Sequence, residues 1–575
     1  MPQNRRKVAF SGKKKKVQLA AKRQAKQNYT NPYLLNKTLK EEASDDQSRG
    51  KNDELEVQKL NFQPSKDGRA NRYVFHFYRE SEKQLREAKE EAKKVIIPVP
   101  PEAREVGDDF FVGYDFPQRP RWNFEMSKDQ LEQNENKYFR DYMQNLEKIH
   151  YDDKKILSYC ELNLETWRQL WRVLEFSDII LLIADIRFPT LMFPPSLYLH
   201  VKEELNKSMV LILNKIDLVS PACVLAWKKY FEEKYPALHI LTFTSFPSYN
   251  LHGPQGSSTG IQIRRRRGKM RMAAEGAHEV YKAVNEILAG CVDISSWERK
   301  ILEELNISDG EDDEDDPETP EIVHEEERDL DFQKYVKHKN GIVSIGCVGF
   351  PNVGKSSLMN ALMGRKVVSV SRTPGHTKHF QTIFLTENVR LCDCPGLVFP
   401  SSAPRSLQVL MGSYPIAQLR EPYAAIRYLC ERIDLVSLLS LKHEYYDPEE
   451  GWSPITICDE WAVKRGFLTA KVARPATYRS ANNILRMALD GKFSLHLFPP
   501  DFIKTEAVWL DHPELKDIIA IQSKDPKLSE ISFVNFTDSE NENEESSEDE
   551  EDEKQNSSSI PTTSNVFSIL NTEGI

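Results

Sequence analysis

Residues Gly349-Phe350-Pro351-Asn352-Val353-Gly354-Lys355-Ser356 fit the pattern GxxxxGK[ST] and follow directly on an apolar run, Val343 to Val348, that reads as a buried strand. Glycines at those positions let successive backbone N–H groups turn toward an anion. A helix starting at the loop adds the positive end of its dipole, Lys355 neutralises outer phosphates, and Ser356 offers a hydroxyl to magnesium. Asp393-Cys394-Pro395-Gly396 follows a second strand-sized stretch, Val389 to Cys392, so a carboxylate for magnesium, reached through water, and a glycine N–H for a terminal phosphate stand at a strand end. Thr377, in Thr373-Pro374-Gly375-His376-Thr377, lies between the two motifs, where a loop hydroxyl could close on the same magnesium. A third piece, Asn214-Lys215-Ile216-Asp217, closes the run Met209 to Leu213. The Asp217 carboxylate can accept from both the ring N–H and the exocyclic amine of guanine, a pair adenine does not present; bidentate contacts of this kind discriminate by about 1 to 3 kcal/mol.

These residues need a frame that brings them together. Ile179 to Ile183, ending at Asp185, Met209 to Leu213, and Ile240 to Phe243, ending at Thr244-Ser245, are strand-sized apolar runs. Ahead of the first, Leu164, Trp167, Leu170, Trp171 and Leu174 repeat at helical spacing, and the two tryptophans are expected in the core. Such alternation predicts an α/β protein with a doubly wound, mostly parallel sheet, whose ligands sit at the carboxyl ends of the strands. After about residue 403 the pattern becomes helical, with Pro422 to Ile433 and Tyr478 to Leu489, the latter closing at Gly491. The expected division is therefore a nucleotide-binding domain in two parts, 156–300 and 339–402, and a helical output domain, 403–537. Residues 69–155 mix aromatics with charge at no clear period and receive no role. Cys392 and Cys394 are expected to be ordinary strand residues.

The chain has 575 residues and a net charge of −10, but the charge is segregated. Residues 1–40 carry 12 Lys/Arg and no acid, 309–331 carry 14 acids against one Arg, and 538–553 carry 11 acids and no base. Like charges this dense repel one another and lack apolar residues to offset chain entropy. A disordered basic arm over 1–68, an acidic disordered insert over 301–338 and an acidic disordered tail over 538–575 follow as expectations. Apolar runs too short to span a bilayer argue against a membrane protein. Eight cysteines without a CxxC pair argue for a reducing compartment and against structural zinc. Arg5, Arg6, Lys7, Lys13 to Lys16, Lys22, Arg23 and Lys26, with a second cluster at Arg264 to Arg267, Lys269 and Arg271, suit either RNA phosphates or a nuclear address read by import factors.

In the order NKxD, GFPNVGKSS, PGHTKHFQT, DCPG, the motifs resemble the translation-factor-type (TRAFAC) GTPases of the circularly permuted YlqF/YawG type, since in ordinary members NKxD comes last. Asp185-Ile186-Arg187-Phe188-Pro189, the stretch Trp167 to Trp171, and Phe243-Thr244-Ser245-Phe246 are similar to one branch of that family, and the likeness covers most of residues 70–535. The resemblance implies a P-loop GTPase fold that binds GTP/GDP with magnesium. It implies guanine recognition by Asn214, Lys215 and Asp217, with support of the base oxygen near Ser245, although Phe246 stands where related loops usually have a small residue. It implies phosphate contacts from Asn352, Val353, Gly354, Lys355, Ser356 and Ser357 and from Asp393, Cys394, Pro395 and Gly396. Magnesium would fall to Ser356, Thr377 and Asp393, with Lys355, Thr377 and Gly396 nearest the reaction.

Leu397 stands where ordinary switches place a glutamine that orients the attacking water; a leucine cannot hydrogen-bond water, so intrinsic hydrolysis is expected to be slow. Asn352 resembles an asparagine that helps hold potassium in related GTPases, which implies potassium- or partner-stimulated turnover. Relatives act in ribosome assembly. The resemblance thus implies a monomer working on preribosomal particles or rRNA through its basic arms, in the nucleus and nucleolus with shuttling to the cytoplasm. The rival reading is a regulatory GTP-binding module that docks proteins and hydrolyses very slowly.

Overall fold

The computed structural model describes residues 57–60, 75–152, 157–244, 276–307, 336–365, 367–368, 370, 374, 380–442, 451–469 and 474–522. Two short strands, β1 (Val57–Leu60) and β2 (Phe75–Tyr78), pair antiparallel, Val57 opposite Tyr78. The central sheet has six strands: β3 (Ile179–Asp185), β4 (Ser208–Asn214), β5 (His239–Phe243), β6 (Val343–Gly349), β7 (Gln381–Thr386) and β8 (Val389–Asp393). Their spatial order is β5-β4-β3-β6-β8-β7, all parallel except β7, which runs antiparallel to β8 at one edge. Every residue of β3 and of β6 is buried, because helices cover both faces, and an apolar run without alternation is what such a strand requires. The antiparallel edge β7 and the β1–β2 pair carry no such run and are not legible as strands in the sequence.

β3 and β6 lie side by side, Ile179 opposite Ile345 and Ile183 opposite Gly349, although over 150 residues separate them in the chain. This adjacency joins the two halves of the sheet. In the same register Asp185 faces Asn214 and Cys347 faces Asp393, so the ends of β3, β4, β6 and β8 form one rim.

The helices that matter for the site are, in chain order, α1 (Glu82–Glu91), α2 (Lys128–Asp152), α3 (Leu164–Phe176), α4 (Pro221–Lys234), α5 (276–288), α6 (Ser295–Ile307) and α7 (Lys355–Met363). They continue with α8 (Arg405–Leu410), α9 (Tyr423–Cys430), α10 (Pro454–Lys464), α11 (Thr477–Leu489), α12 (Phe502–Leu510) and α13 (Leu515–Gln522). α3 starts at Asn163, whose side chain caps the Glu165 N–H, and buries Trp167, Leu170, Trp171 and Leu174. Four apolar residues on one helical stripe are what seat it against the sheet. α9 is shorter than the pattern Pro422 to Ile433 suggests, because its last turn is capped at Glu431. α9, α10 and α11 pack on one another, with Ile426, Leu429, Ile457, Trp461, Ile484 and Leu485 buried. α12 and α13 return to pack on α4.

Residues 94–122 form an extended strap across this helical unit. Its backbone N–H groups at Ile96, Val99 and Val106 donate to the carbonyls of Trp452, Glu431 and Phe498 at 2.8, 2.8 and 2.9 Å. Glu105 accepts from the N–H groups of Asp501 and Ile503, capping α12 from outside its own segment. Farther on, Trp171 Nε1 donates to the Pro117 carbonyl at 2.7 Å, and Arg119 pairs with Glu135 of α2 and Glu175 of α3. The strap is thus a belt from the helical unit to the sheet, held by backbone bonds and by the side chains of Glu105, Trp171 and Arg119; the rest of the region without sequence periodicity holds β2, α1 and α2.

Candidate functional site

The loop after β6 turns sharply. Asn352 has φ 58° and Gly354 φ 98°, both left-handed, and α7 begins at Lys355 with Gly354 as its N-cap. A Cβ on Gly354 would lie 2.3 Å from Asn214 Nδ2, so only glycine lets the loop approach the end of β4 this closely. Lys355 is buried, and its ammonium donates to the carbonyls of Gly349 and Phe350 at 3.1 and 2.7 Å. Burial lowers its pKa, opposed by the Asp393 carboxylate. A buried cation folded onto neutral carbonyls at the start of a helix is a fitting partner for an anion.

Asp393 ends β8 fully buried and accepts from Gln381 Nε2 across the β7–β8 pair at 3.3 Å. Behind it, Gly396 lies so close to the phosphate loop that a Cβ would meet Pro351 Cα at 2.8 Å and Lys355 Nζ at 3.1 Å. Cys394 is fully buried beside them. Lys355 and Asp393 therefore share one end of the site, where a phosphate chain with its metal would sit.

Asn214 and Lys215 join that end to the loop after β4. Asn214 Nδ2 donates to the Val353 carbonyl at 2.7 Å, while its buried Oδ1 is left without a hydrogen-bond partner. Lys215, left-handed at φ 63°, sends its ammonium to the Asn352 carbonyl at 2.6 Å and to Asp185 Oδ2 at 2.8 Å. Asp217 accepts from Thr244 Oγ1 at 2.5 Å, and burial raises its pKa. The turn carrying Asp217 is tied from the far end of the chain: Gln522 Nε2 donates to the carbonyls of Ile216 and Val219 at 2.5 and 2.8 Å.

The NKxD and phosphate-loop stretches thus meet directly, and DxxG closes on the same loop. Among the expected residues, Asn214, Lys215, Asp217, Asn352 to Ser357, Asp393, Cys394, Pro395 and Gly396 lie on these neighbouring loops and helix start; Ser245 and Thr377 lie outside the described residues, as do residues 1–40, 264–271, 309–331 and 538–553. The disordered arm expected over 1–68 does contain a strand, β1, because Val57–Leu60 pairs with β2, and the insert expected over 301–338 starts later, because α6 runs on to Ile307 and buries Ile301. Sequence reasoning missed Thr244, Gln522 and Gly412, whose carbonyl accepts from Asn352 Nδ2 at 2.9 Å. Thr244 was signalled only by standing at a strand end; the other two carry no local signature.

Leu397 is fully buried, and its N–H donates to the Gly349 carbonyl at 3.3 Å. The segment after it is pinned. Glu161 and Ser158 donate their N–H groups to the carbonyls of Val398 and Ser401, and Ser402 N–H donates to the Phe110 carbonyl. No helix among the described residues is long and apolar enough to cross a membrane.

A protein-family profile described as 50S ribosome-binding GTPase matches residues 344–447. The solved structures of YlqF, GDP-bound and, from T. maritima, GNP-bound, align at 15% identity with TM-scores of 0.30 and 0.31, covering 58% of this chain and 99% and 97% of theirs. Large subunit GTPase 1 homolog of Drosophila melanogaster is 32% identical over 409 residues, 68% of this chain and 65% of its own. Guanine nucleotide-binding protein-like 1 of Mus musculus is 45% identical over 551 residues, and that of Homo sapiens 46% over 549, each covering 90% of both chains. Identity sustained over nine-tenths of both partners, with an NKxD motif that precedes the GxxxxGKS loop in the chain and bonds to it directly, means that this chain belongs to the guanine nucleotide-binding protein-like 1 branch of the circularly permuted GTPases.

Proposed function

We propose that the chain is a slow, assisted GTP switch acting in large-subunit ribosome assembly, with Asn214, Lys215 and Asp217 on the guanine base and residues 352–357 and 393–396 on the phosphates. The observation that carries the reading is the direct bonding of Asn214 and Lys215 to the carbonyls of Val353 and Asn352, which makes base loop and phosphate loop one receptacle. Asp217 takes the guanine N–H pair, with Ser245 near the base oxygen. Lys355 and the Gly396 N–H face the terminal phosphate. Ser356, Thr377 and Asp393 would hold magnesium, and the buried Asp393 carboxylate beside the phosphate loop suits that cation. The ion would neutralise charge developing on the phosphates.

Slow intrinsic turnover is supported by Leu397, whose burial leaves no polar side chain there to orient water. The Asn352 amide nitrogen is committed to Gly412, which turns its oxygen the other way, so Asn352 Oδ1 would be the group offered to potassium. Stimulation by potassium or by a partner follows as part of the reading. Work on preribosomal particles is supported by the name of the Drosophila relative and the description of the matching family. The basic arm at residues 1–40 supports contact with rRNA phosphates and a nuclear or nucleolar address read by import factors, with shuttling to the cytoplasm. Residues 403–537 serve as the output domain of a monomer.

Sucrose-gradient sedimentation of the full-length chain, loaded with a GTP analogue or with GDP, tests this. Comigration with large-subunit precursors in the analogue state is expected, weakened in GDP and abolished in Asp217→Asn, which should also lose its preference for guanine over adenine nucleotides by at least tenfold. Free protein in every state, with intact guanine preference, would leave only a regulatory module docking protein partners.

A further inference from the structure

Asp185 closes β3, and Arg187 follows two residues later. Both are buried, at 0% and 1% exposure. Burying an arginine and a carboxylate costs several kcal/mol per ion in desolvation, recovered only with close geometry and satisfied partners. Here the geometry is close: Arg187 Nε and its backbone N–H each donate to Asp185 Oδ1 at 3.0 Å, and the Arg187 NH2 group donates to Asp185 Oδ2 at 2.8 Å. The pair is not self-contained. Asp185 Oδ2 also takes the Lys215 ammonium at 2.8 Å, and that ammonium donates onward to the Asn352 carbonyl at 2.6 Å. At the other end the Arg187 NH1 group donates to the Ala488 carbonyl at 3.1 Å, in the last turn of α11, and Leu497 N–H donates to the Arg187 carbonyl at 2.9 Å. One chain of alternating charge therefore runs from the helical unit, through Arg187, Asp185 and Lys215, to the phosphate loop.

Lys215 needs such a tether. Its backbone is left-handed, and a lysine stem has freedom to place its ammonium widely. The Asn352 carbonyl alone is one neutral acceptor on a loop that must also receive phosphates. Asp185 is the charged group within hydrogen-bond distance of that ammonium, and Arg187, anchored on Ala488 and Leu497, fixes the carboxylate by two side-chain bonds.

We infer that Asp185 and Arg187 are positioning residues for guanine-nucleotide binding: they hold the Lys215 ammonium against the Asn352 carbonyl, so that base loop and phosphate loop close on the ligand as one body. The inference rests on the reading of Lys215 as a nucleotide-binding residue. It assigns the pair no contact with the nucleotide.

The test is a double-mutant cycle in the full-length chain, reading dissociation of a fluorescent GDP analogue for Asp185→Asn, Lys215→Met and the two combined, with thermal unfolding of each protein recorded without nucleotide. Asp185→Asn is expected to speed dissociation about tenfold, a 1.4 kcal/mol effect. The double variant should release GDP no faster than Lys215→Met alone, because the carboxylate acts through the lysine. A merely structural ion pair would lower the unfolding temperature and add its effect to that of Lys215→Met. Should Asp185→Asn fail to fold, Arg187→Lys keeps a cation beside Asp185 but loses the fork that spans it and Ala488; a several-fold faster release is expected there. Wild-type release from Asp185→Asn or Arg187→Lys, or multiplying effects in the double variant, overturns the inference while Lys215→Met still weakens binding. No effect of Lys215→Met would overturn the reading of Lys215 itself, and the inference with it.

Discussion

At the scale of single residues, the site depends on close approach more than on any one charge. Gly354 sits at φ 98° with the Asn214 amide where a Cβ would be. Gly354→Ala must strain the backbone and push Asn214 off the Val353 carbonyl, and calorimetric titration with GDP is expected to show affinity at least tenfold weaker. Glu161 makes a different prediction. It is fully buried, accepts from the N–H groups of His76 and Asn163, and its own N–H holds the Val398 carbonyl. Burial pushes its pKa up from 4.5 to about 8. Between those two values the folded protein keeps a proton that the unfolded chain has lost, so stability falls as pH rises through this window, by up to about 1.4 kcal/mol per pH unit. Below pH 4.5 both states hold the proton and above about 8 neither does, so the dependence flattens at each end. Glu161→Gln removes the titration. The melting temperature of the variant, relative to wild type, should rise steadily from pH 5 to pH 8; a constant difference across that range would show that Glu161 does not titrate there.

At the scale of elements, the segment from Leu397 to Ala403 would be a free lever if chain order alone decided its behaviour, since it links DxxG to α8. Packing makes it a clamped segment instead. It lies between residues 157–162 and the Phe110 carbonyl, and Gln408 of α8 locks the arrangement by accepting from Tyr159 N–H at 2.7 Å and donating to the Tyr159 carbonyl at 2.8 Å. Tyr159 and Gln408 are both buried. Gln408→Ala would strand the Tyr159 N–H, at a cost of about 1 to 3 kcal/mol, and leave the Tyr159 carbonyl with only the Ser158 hydroxyl at 3.3 Å. Urea unfolding is expected to show a lower midpoint with an unchanged slope.

At the scale of the whole molecule, the helical unit meets the nucleotide rim at three separated points. Gly412 accepts from Asn352, Ala488 accepts from Arg187, and Gln522 holds the turn of Asp217. The strap over residues 94–122 then belts the same unit to α2 and α3. Because one of those points is the phosphate loop itself, exchange of GTP for GDP is expected to alter the packing of α8 through Asn352 and Gly412. Hydrogen exchange should differ between GDP and GTP-analogue states over residues 405–412. Identical protection there would mean that the helical unit does not sense the terminal phosphate by this route.

The motifs and the sheet strands that carry them are legible along the chain. GxxxxGK[ST], DxxG and NKxD are each contiguous, and each follows a strand-sized stretch, because a residue that must sit at the carboxyl end of a strand directly follows that strand in the chain. Nothing local encodes which distant groups press on those motifs. Gln522, Gly412 and Ala488 act through an amide or a backbone carbonyl, chemistry that any stretch of chain can supply, and only the tertiary structure decides that they arrive. The strap escaped the pattern in part for the same reason: at Ile96, Val99 and Val106 it binds through main-chain N–H groups, which leave no periodic mark on side chains. Tertiary structure also turned Asp185 and Arg187 from the end of a strand into a buried ion pair, since desolvation is set by what covers a charge and not by its neighbours in sequence.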